Sequence, residues 1–264
     1  MWVAVMILPE KNQKYLEDAR VISQQELRAD VFSLELEAPQ IAREAVPGQF
    51  VQVRIPSDSF VLRRPLGVAS ADQAKNRITL IYREVGKGTA ALTGAMPGET
   101  INVLGPLGHG FSSDFEHPLL VGGGLGLSPL LFYAESLHGK ADVLMGGRTA
   151  DELFWKELYA DQAGEIFLTT DDGSLGTKGF VTTLLPELLE KKAYDGVSVC
   201  GPEIMMRNVA KIAAEYGIPC EVSLERRMGC GLGACLSCSI DTTDGKRKKV
   251  CKDGPVFPAQ EVFA

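Results

Sequence analysis

The chain has 264 residues, 45% hydrophobic and 23% charged, with a formal net charge of −7. That length suits two globular domains with an appendage, and the composition is that of an ordinary soluble protein able to bury a sizeable core. An acidic surface repels nucleic acid and anionic membranes, which argues against both as partners.

The opening run WVAVMIL (residues 2–8) is apolar but too short to span a bilayer, and it lacks the basic leader and small-residue cleavage site of a secretory signal. Met6 is an alternative start. Six cysteines without a leader indicate a reducing compartment, the cytoplasm, where thiols serve as ligands rather than disulfides.

Residues 15–105 alternate in short runs such as VFSLELEA (31–38), FVQVRI (50–55) and RITLIYREV (77–85), punctuated by Gly48, Pro56, Pro97, Gly98 and Gly105. The pattern predicts antiparallel strands closing into a small β-barrel, with a helix over residues 89–95. Two stretches of it carry binding chemistry. Arg63, Arg64, Pro65, Leu66 and Gly67 set two guanidinium forks, suited to phosphate or a flat ring, beside small residues that leave room for a ligand. Ile81, Tyr82 and Arg83 run into a glycine-rich turn ending at Gly88 and Thr89, where backbone N–H groups could hold a pyrophosphate. Taken singly, each also reads as an exposed barrel edge or a hairpin turn.

From Pro118 the texture changes to alternating strands and helices, predicting an α/β doubly wound parallel sheet with its ligand crevice at the carboxyl ends of the strands. The turn after the first strand holds Gly124 and Gly126, the start of G-x-G-x-x-G, but Pro129 stands where the third glycine belongs. It reads as a dinucleotide site or as a tight structural turn. Cys200, at the end of the strand VSVC (197–200), either touches a nicotinamide or is a small buried hydrophobe. Arg148 lies where a cofactor ribose or its phosphate would be read.

Near the end, Cys230, Cys235 and Cys238 follow C-x4-C-x2-C, and Cys251 comes after a hairpin-like excursion, on a separate strand. This is the plant-type order of ligands to a [2Fe-2S] cluster. Gly229, Gly231 and Gly233 let the loop curl and bring N–H groups to the sulfurs. Four thiolates also suit zinc, although a second C-x2-C knuckle is missing. The basic run at 246–249 reads as a solvated hairpin face or a docking patch. No H-E-x-x-H, G-x-S-x-G or Walker motif occurs, so hydrolase and kinase chemistry have no support.

With barrel, Arg-Pro motif, glycine turn, C-G-P strand end and CGLGACLSC…VCKDGPVF in this order, the sequence resembles the ferredoxin reductase superfamily. Within it, the resemblance is to the electron-transfer subunits of NAD-linked, class 1B dihydroorotate dehydrogenases. It implies FAD on the barrel, with Arg64, Pro65, Leu66 and Gly67 on the flavin side, Ile81, Tyr82 and Arg83 at its ring or ribityl region, and Gly88 and Thr89 at its pyrophosphate. Gly67 stands where that family usually has serine. The resemblance further implies NAD on the α/β part, a [2Fe-2S] relay, no side-chain acid, base or nucleophile, and a TIM-barrel partner subunit holding FMN in a two-plus-two heterotetramer. The expected division is residues 1–112 for FAD, 113–222 for NAD and 223–264 for the cluster. A related NAD(P)H reductase with a soluble electron carrier, a zinc-stabilised binding protein and an inactive assembly subunit are the competing readings.

Overall fold

The structure, a computed structural model, describes residues 13–56 and 59–263, so the apolar run at 2–8 and Met6 lie outside the described residues. Strands β1 (Tyr15–Arg28), β2 (Val31–Glu37), β3 (Phe50–Val53), β4 (Arg64–Asp72), β5 (Arg77–Arg83) and β6 (Thr100–Leu107) form the first unit, with helices α1 (Pro39–Glu44) and α2 (Lys87–Leu92) between them. The strands close into a barrel in the order β1-β2-β5-β4-β3-β6, all antiparallel. Alternation explains it. Leu34 and Leu36 of β2 stand opposite Leu80 and Ile78 of β5, and all four point into one apolar core with Val51 and Val53 of β3.

The second unit comprises β7 (Leu119–Gly123), α3 (Leu127–Leu137), β8 (Asp142–Gly147), α4 (Trp155–Tyr159), β9 (Ile166–Thr170), β10 (Thr177–Lys178), α5 (Val181–Lys191), β11 (Val197–Cys200), α6 (Glu203–Glu215) and β12 (Cys220–Ser223). Its sheet runs β10-β9-β8-β7-β11-β12 in parallel. Successive residues face opposite layers: Leu119 and Val121 pack with α5 and α6, whereas Leu120 packs with Leu130 of α3 and Trp155 of α4. Strand order reverses between β7 and β11, and that switch point is where an open α/β sheet offers its ligand crevice.

The remaining residues form β13 (Ser239–Asp241), β14 (Arg247–Lys249), α7 (Val250–Asp253), β15 (Val256–Pro258) and α8 (Ala259–Val262). The last strand does not stand apart: β15 joins β12 as an antiparallel edge of the large sheet. The basic run sits on the β13–β14 hairpin, and each of its cations has a carboxylate partner: Lys246 with Asp244, Arg247 with Asp241, Lys248 with Glu261 and Lys249 with Asp253. Among the described residues, no helix is long and apolar enough to cross a membrane.

Two local expectations need correction. The barrel helix begins at Lys87, not 89, because the Thr89 hydroxyl reaches back to accept from the backbone N–H groups of Val85 and Gly86 and so starts the helix a half-turn earlier. Cys251 lies in the short helix α7 instead of a strand. There the Asp253 carboxylate accepts from Lys249 N–H at 2.7 Å and ends the strand before the cysteine is reached.

Gly126 has a packing reason of its own, since a Cβ there would lie 2.1 Å from the Cys200 carbonyl oxygen across the switch point. Gly126→Ala is therefore expected to destabilise the fold by about 1–3 kcal/mol, the usual cost of overpacking. Urea unfolding midpoints measure the loss.

Candidate active site and cluster loop

The barrel, the sheet and the C-terminal segment meet around one open cleft of about 340 Å³. Strands β4 and β5 contribute Arg64, Pro65, Leu66, Gly67, Ile81, Tyr82 and Arg83, and Thr89 comes from α2. Cys200 enters from the end of β11, and Ser128 and Pro129 from the first turn of α3. The two barrel stretches and the cysteine picked out from sequence thus share one wall. Gly88, Gly124 and Gly126 do not line it.

Gly88 is nevertheless tied to the cleft. A Cβ at Gly88 would lie 2.5 Å from both Nε and Nη2 of Arg64, so the missing side chain is what lets the guanidinium lie across the start of α2. The Arg64 Nη1 donates to Leu62 O at 2.7 Å, and the cation stands 5.5 Å from the Phe60 ring centre. Arg63 points elsewhere and donates to the carbonyls of Gln52 at 3.2 Å and Asn102 at 3.0 Å, clipping β3 to β6. The Thr89 hydroxyl is committed to its own turn, leaving the backbone as the part of that residue able to meet a phosphate.

The floor of the cleft is apolar and electrically quiet. Tyr82 is buried, takes a hydrogen bond from Gln24 Nε2 at 2.6 Å, and burial pushes its phenol up to about 12. The Cys200 thiol is buried, donates to Ser223 O at 3.7 Å, and is pushed up to about 12 by burial with a contribution from Glu225. It is a neutral thiol at the mouth of the crevice, so the buried and the cofactor-facing readings both apply. Pro129, which broke the glycine pattern, forms part of the wall facing Gly67, 3.8 Å from the position of a Cβ there.

Sequence reasoning missed the C-terminal contribution. Ser223, Leu224, Glu225, Arg226, Met228 and Pro255 all line the cleft. Desolvation raises the Glu225 carboxyl, and Arg226 donates to Glu203 at 3.2 Å. The signal available was proximity in sequence: Met228 stands two residues before Cys230, and Pro255 four after Cys251.

The four cysteines lie in two pairs. Cys230 Sγ accepts from the N–H groups of Leu232 at 3.3 Å and Cys235 at 3.4 Å, while Cys235 Sγ accepts from Cys230 N–H at 3.5 Å and lies 3.2 Å from the Ser237 hydroxyl. Cys238 Sγ accepts from Cys251 N–H at 3.4 Å. Hydrogen bonding from Ser237, then from Cys230, lowers the Cys235 thiol to about 6. The loop owes its curl to positive φ at Gly231 (+72°), Gly233 (+81°) and Leu236 (+62°). Among the described residues, no three His, Cys, Asp or Glu side chains are placed to hold one metal ion. A structural zinc needs four sulfurs about 2.3 Å from a single centre. Two pairs suit two irons, each held by two thiolates, so the donor set fits the [2Fe-2S] cluster.

Residues 16–111 match the oxidoreductase FAD-binding domain, and residues 225–263 match the iron–sulfur cluster binding domain of dihydroorotate dehydrogenase B. The electron transfer subunit of dihydroorotate dehydrogenase B (NAD(+)) from Desulforamulus reducens is 38% identical over 254 residues, covering 93% of this chain and 97% of the relative. The chain belongs to this family. The same subunit from a Geobacillus species is 39% identical over 256 residues, covering 93% and 98% of the two chains. Among solved structures, an NADH-dependent reduced ferredoxin-NADP oxidoreductase, described for flavin-based electron bifurcation, superposes with a TM-score of 0.83 at 33% identity over 93% of this chain and 90% of that one.

As a dihydroorotate dehydrogenase B electron transfer subunit family member, the chain carries an FAD-binding domain and an iron–sulfur domain, and the cleft adjoins both. Gly67, which lines the cleft, and Gly88, which lies against Arg64, should respond in opposite ways to substitution. Gly88→Ala puts a Cβ 2.5 Å from Nε and Nη2 of Arg64 and is expected to shift the guanidinium off the start of α2, lowering FAD affinity by about tenfold, the worth of one charge-assisted hydrogen bond. A Cβ at Gly67 would meet nothing nearer than Pro129 at 3.8 Å, and Gly67→Ser is expected to keep or tighten FAD binding. Fluorescence titration of flavin-stripped protein with FAD distinguishes the two.

Proposed function

We propose that this chain is the electron transfer subunit of a cytoplasmic NAD-linked dihydroorotate dehydrogenase in de novo pyrimidine synthesis, paired with an FMN-holding catalytic subunit in a two-plus-two assembly. Family membership supports the reading. The observation that carries it is the shared wall: Met228 and Pro255 line the cleft while their near neighbours Cys230 and Cys251 belong to the cluster loop. When bound, FAD and a [2Fe-2S] cluster supply hydride exchange with NAD(H) and one-electron transfer to or from the partner's FMN.

The chain's own residues place those groups. Arg64, held by Gly88, offers its guanidinium to the flavin nucleotide, with the N–H groups around Thr89 beside it. Pro65, Leu66, Gly67, Ile81, Tyr82 and Arg83 form the barrel wall against which the ring system would lie. Gly124, where a Cβ would meet nothing within 4 Å, leaves the backbone open for the NAD pyrophosphate at the switch point, Gly126 lets the turn pack on the Cys200 carbonyl, and Cys200 offers the nicotinamide a neutral thiol. Arg148 is gripped by Glu152, which accepts from its Nε at 2.7 Å and its backbone N–H at 2.9 Å. A 2′-phosphate would have to displace that carboxylate, which favours NAD over NADP.

Cys230 with Cys235, and Cys238 with Cys251, would each hold one iron. Cys238 and Cys251 are buried in the large apolar cluster, while Cys235 is exposed beside Leu232 and Leu236, giving the loop an inner and an outer side. The outer side is suited to the partner subunit.

A second reading, an NAD(P)H reductase serving a soluble electron carrier, draws support from the 33% identical oxidoreductase structure. Purification decides between them: FAD, iron and sulfide on this chain with FMN on a second, co-purifying polypeptide supports the dehydrogenase, and a chain isolated without such a polypeptide supports the carrier. Cys235→Ser is expected to remove or weaken the cluster and bring dihydroorotate-to-NAD+ coupling down to background while NADH still bleaches the visible absorption of the FAD. Coupling at the normal rate in that variant would end the relay reading.

A further inference from the structure

Gln52 lies in the middle of β3 with no exposure to solvent, and neither its Nε2 nor its Oε1 has a hydrogen-bond partner. Its neighbours Val51 and Val53 point into the barrel core, so strand alternation turns Gln52 outward. On that outer side the amide meets Gly231, the residue after Cys230: a Cβ on Gly231 would lie 2.7 Å from Gln52 Cγ and 2.9 Å from Nε2. The cluster loop is folded down on the amide.

A buried strand position without polar partners is ordinarily filled by Leu or Met, which have similar bulk and no desolvation cost. An amide N–H in that place needs an acceptor, and the adjoining loop is built around sulfurs that carry negative charge once they ligate iron. Backbone N–H groups already approach Cys230 Sγ from the loop itself, from Leu232 and Cys235. Gln52 is a side-chain donor that reaches the loop out of the FAD-binding barrel. Arg63, which donates to the Gln52 carbonyl, fixes the strand beneath it.

Resting on the reading of the four cysteines as [2Fe-2S] ligands, we propose that Gln52 Nε2 donates a hydrogen bond to a cluster sulfur on the Cys230 side and so raises the cluster's reduction potential. The reduced cluster carries one more negative charge than the oxidised one, and a donor stabilises it more. Gln52 is a positioning and tuning residue that acts on the cluster from the barrel.

The test uses the full chain purified anaerobically with its cofactors, together with Gln52→Leu and Gln52→Met, which share the missing donor but differ in shape. Iron and sulfide are assayed first, and redox titrations then follow the reduced cluster by EPR and the FAD by visible absorption in the same samples. The expected result is undiminished iron, a roughly tenfold lower equilibrium constant for cluster reduction in both variants, equal to a midpoint about 59 mV lower for one electron, and an unmoved FAD midpoint. Full iron content with an unchanged or higher cluster midpoint in the variants overturns the proposal. Pulsed EPR of wild-type protein made with amide-15N glutamine is expected to show a nitrogen coupled to the reduced cluster, and its absence overturns the proposal even where a variant fails to fold. Wild-type protein lacking iron and sulfide would overturn the cluster reading itself.

Discussion

Strand β3 is buried on both faces, and the arrangement of the rest of the chain depends on that. Val51 and Val53 fill the barrel, while Phe50 and Gln52 face outward yet are equally hidden. Phe50 belongs to the same packed cluster as Leu107, Cys238, Val250 and Cys251, so one strand anchors the cluster-bearing segment directly on the flavin-binding barrel. A one-residue slip of β3 would exchange the two sets, putting Phe50 and Gln52 into the barrel and the valines against the loop. The contact is drawn tight by glycines. At Gly108 a Cβ would fall 2.5 Å from Gly254 O, and the neighbouring His109 N–H donates to that same carbonyl at 2.6 Å. The barrel and the C-terminal segment approach at backbone distance, which no pair of larger residues would allow.

The same contact accounts for the asymmetry of the cysteine loop. Cys238 and Cys251 are buried in the same apolar cluster as Phe50 and Phe257, whereas Cys235 rides the outer bend between Gly233 and the left-handed Leu236. Burial raises the Cys251 thiol to about 12, and hydrogen bonds from Ser237 and Cys230 lower the exposed Cys235 to about 6. The loop thus has a buried inner side and an exposed outer one.

Much of the fold was legible because alternation is local. VFSLELE and RITLIYR each show their inward set within seven residues, and the C-x4-C-x2-C spacing is a short-range signal as well. Features that depend on distant segments meeting were not legible. Nothing in the sequence says that Gly88 is small for the sake of Arg64, or that Pro129 replaces a glycine where α3 faces β4. Nor does the sequence say that Arg226 lines the cleft and holds Glu203. Gln52 fits the alternating pattern as a solvent-facing polar residue, and only the cluster loop lying over it reverses that reading.

The direct covalent route from cleft to cluster explains why the C-terminal segment returns to the large sheet instead of forming a tethered module. The chain leaves β12 at Ser223, lines the cleft through Met228, forms the cysteine loop, and comes back through Pro255 into β15 beside β12. Both ends of the loop are thereby fixed to the same strand, with Val222 paired to Phe257. Electron transfer between two groups demands that their separation hold steady through many turnovers, and a loop on a flexible linker would not hold it. Pinning both ends to one sheet edge, and the middle to β3, leaves the outer bend around Cys235 as the part free to meet another protein.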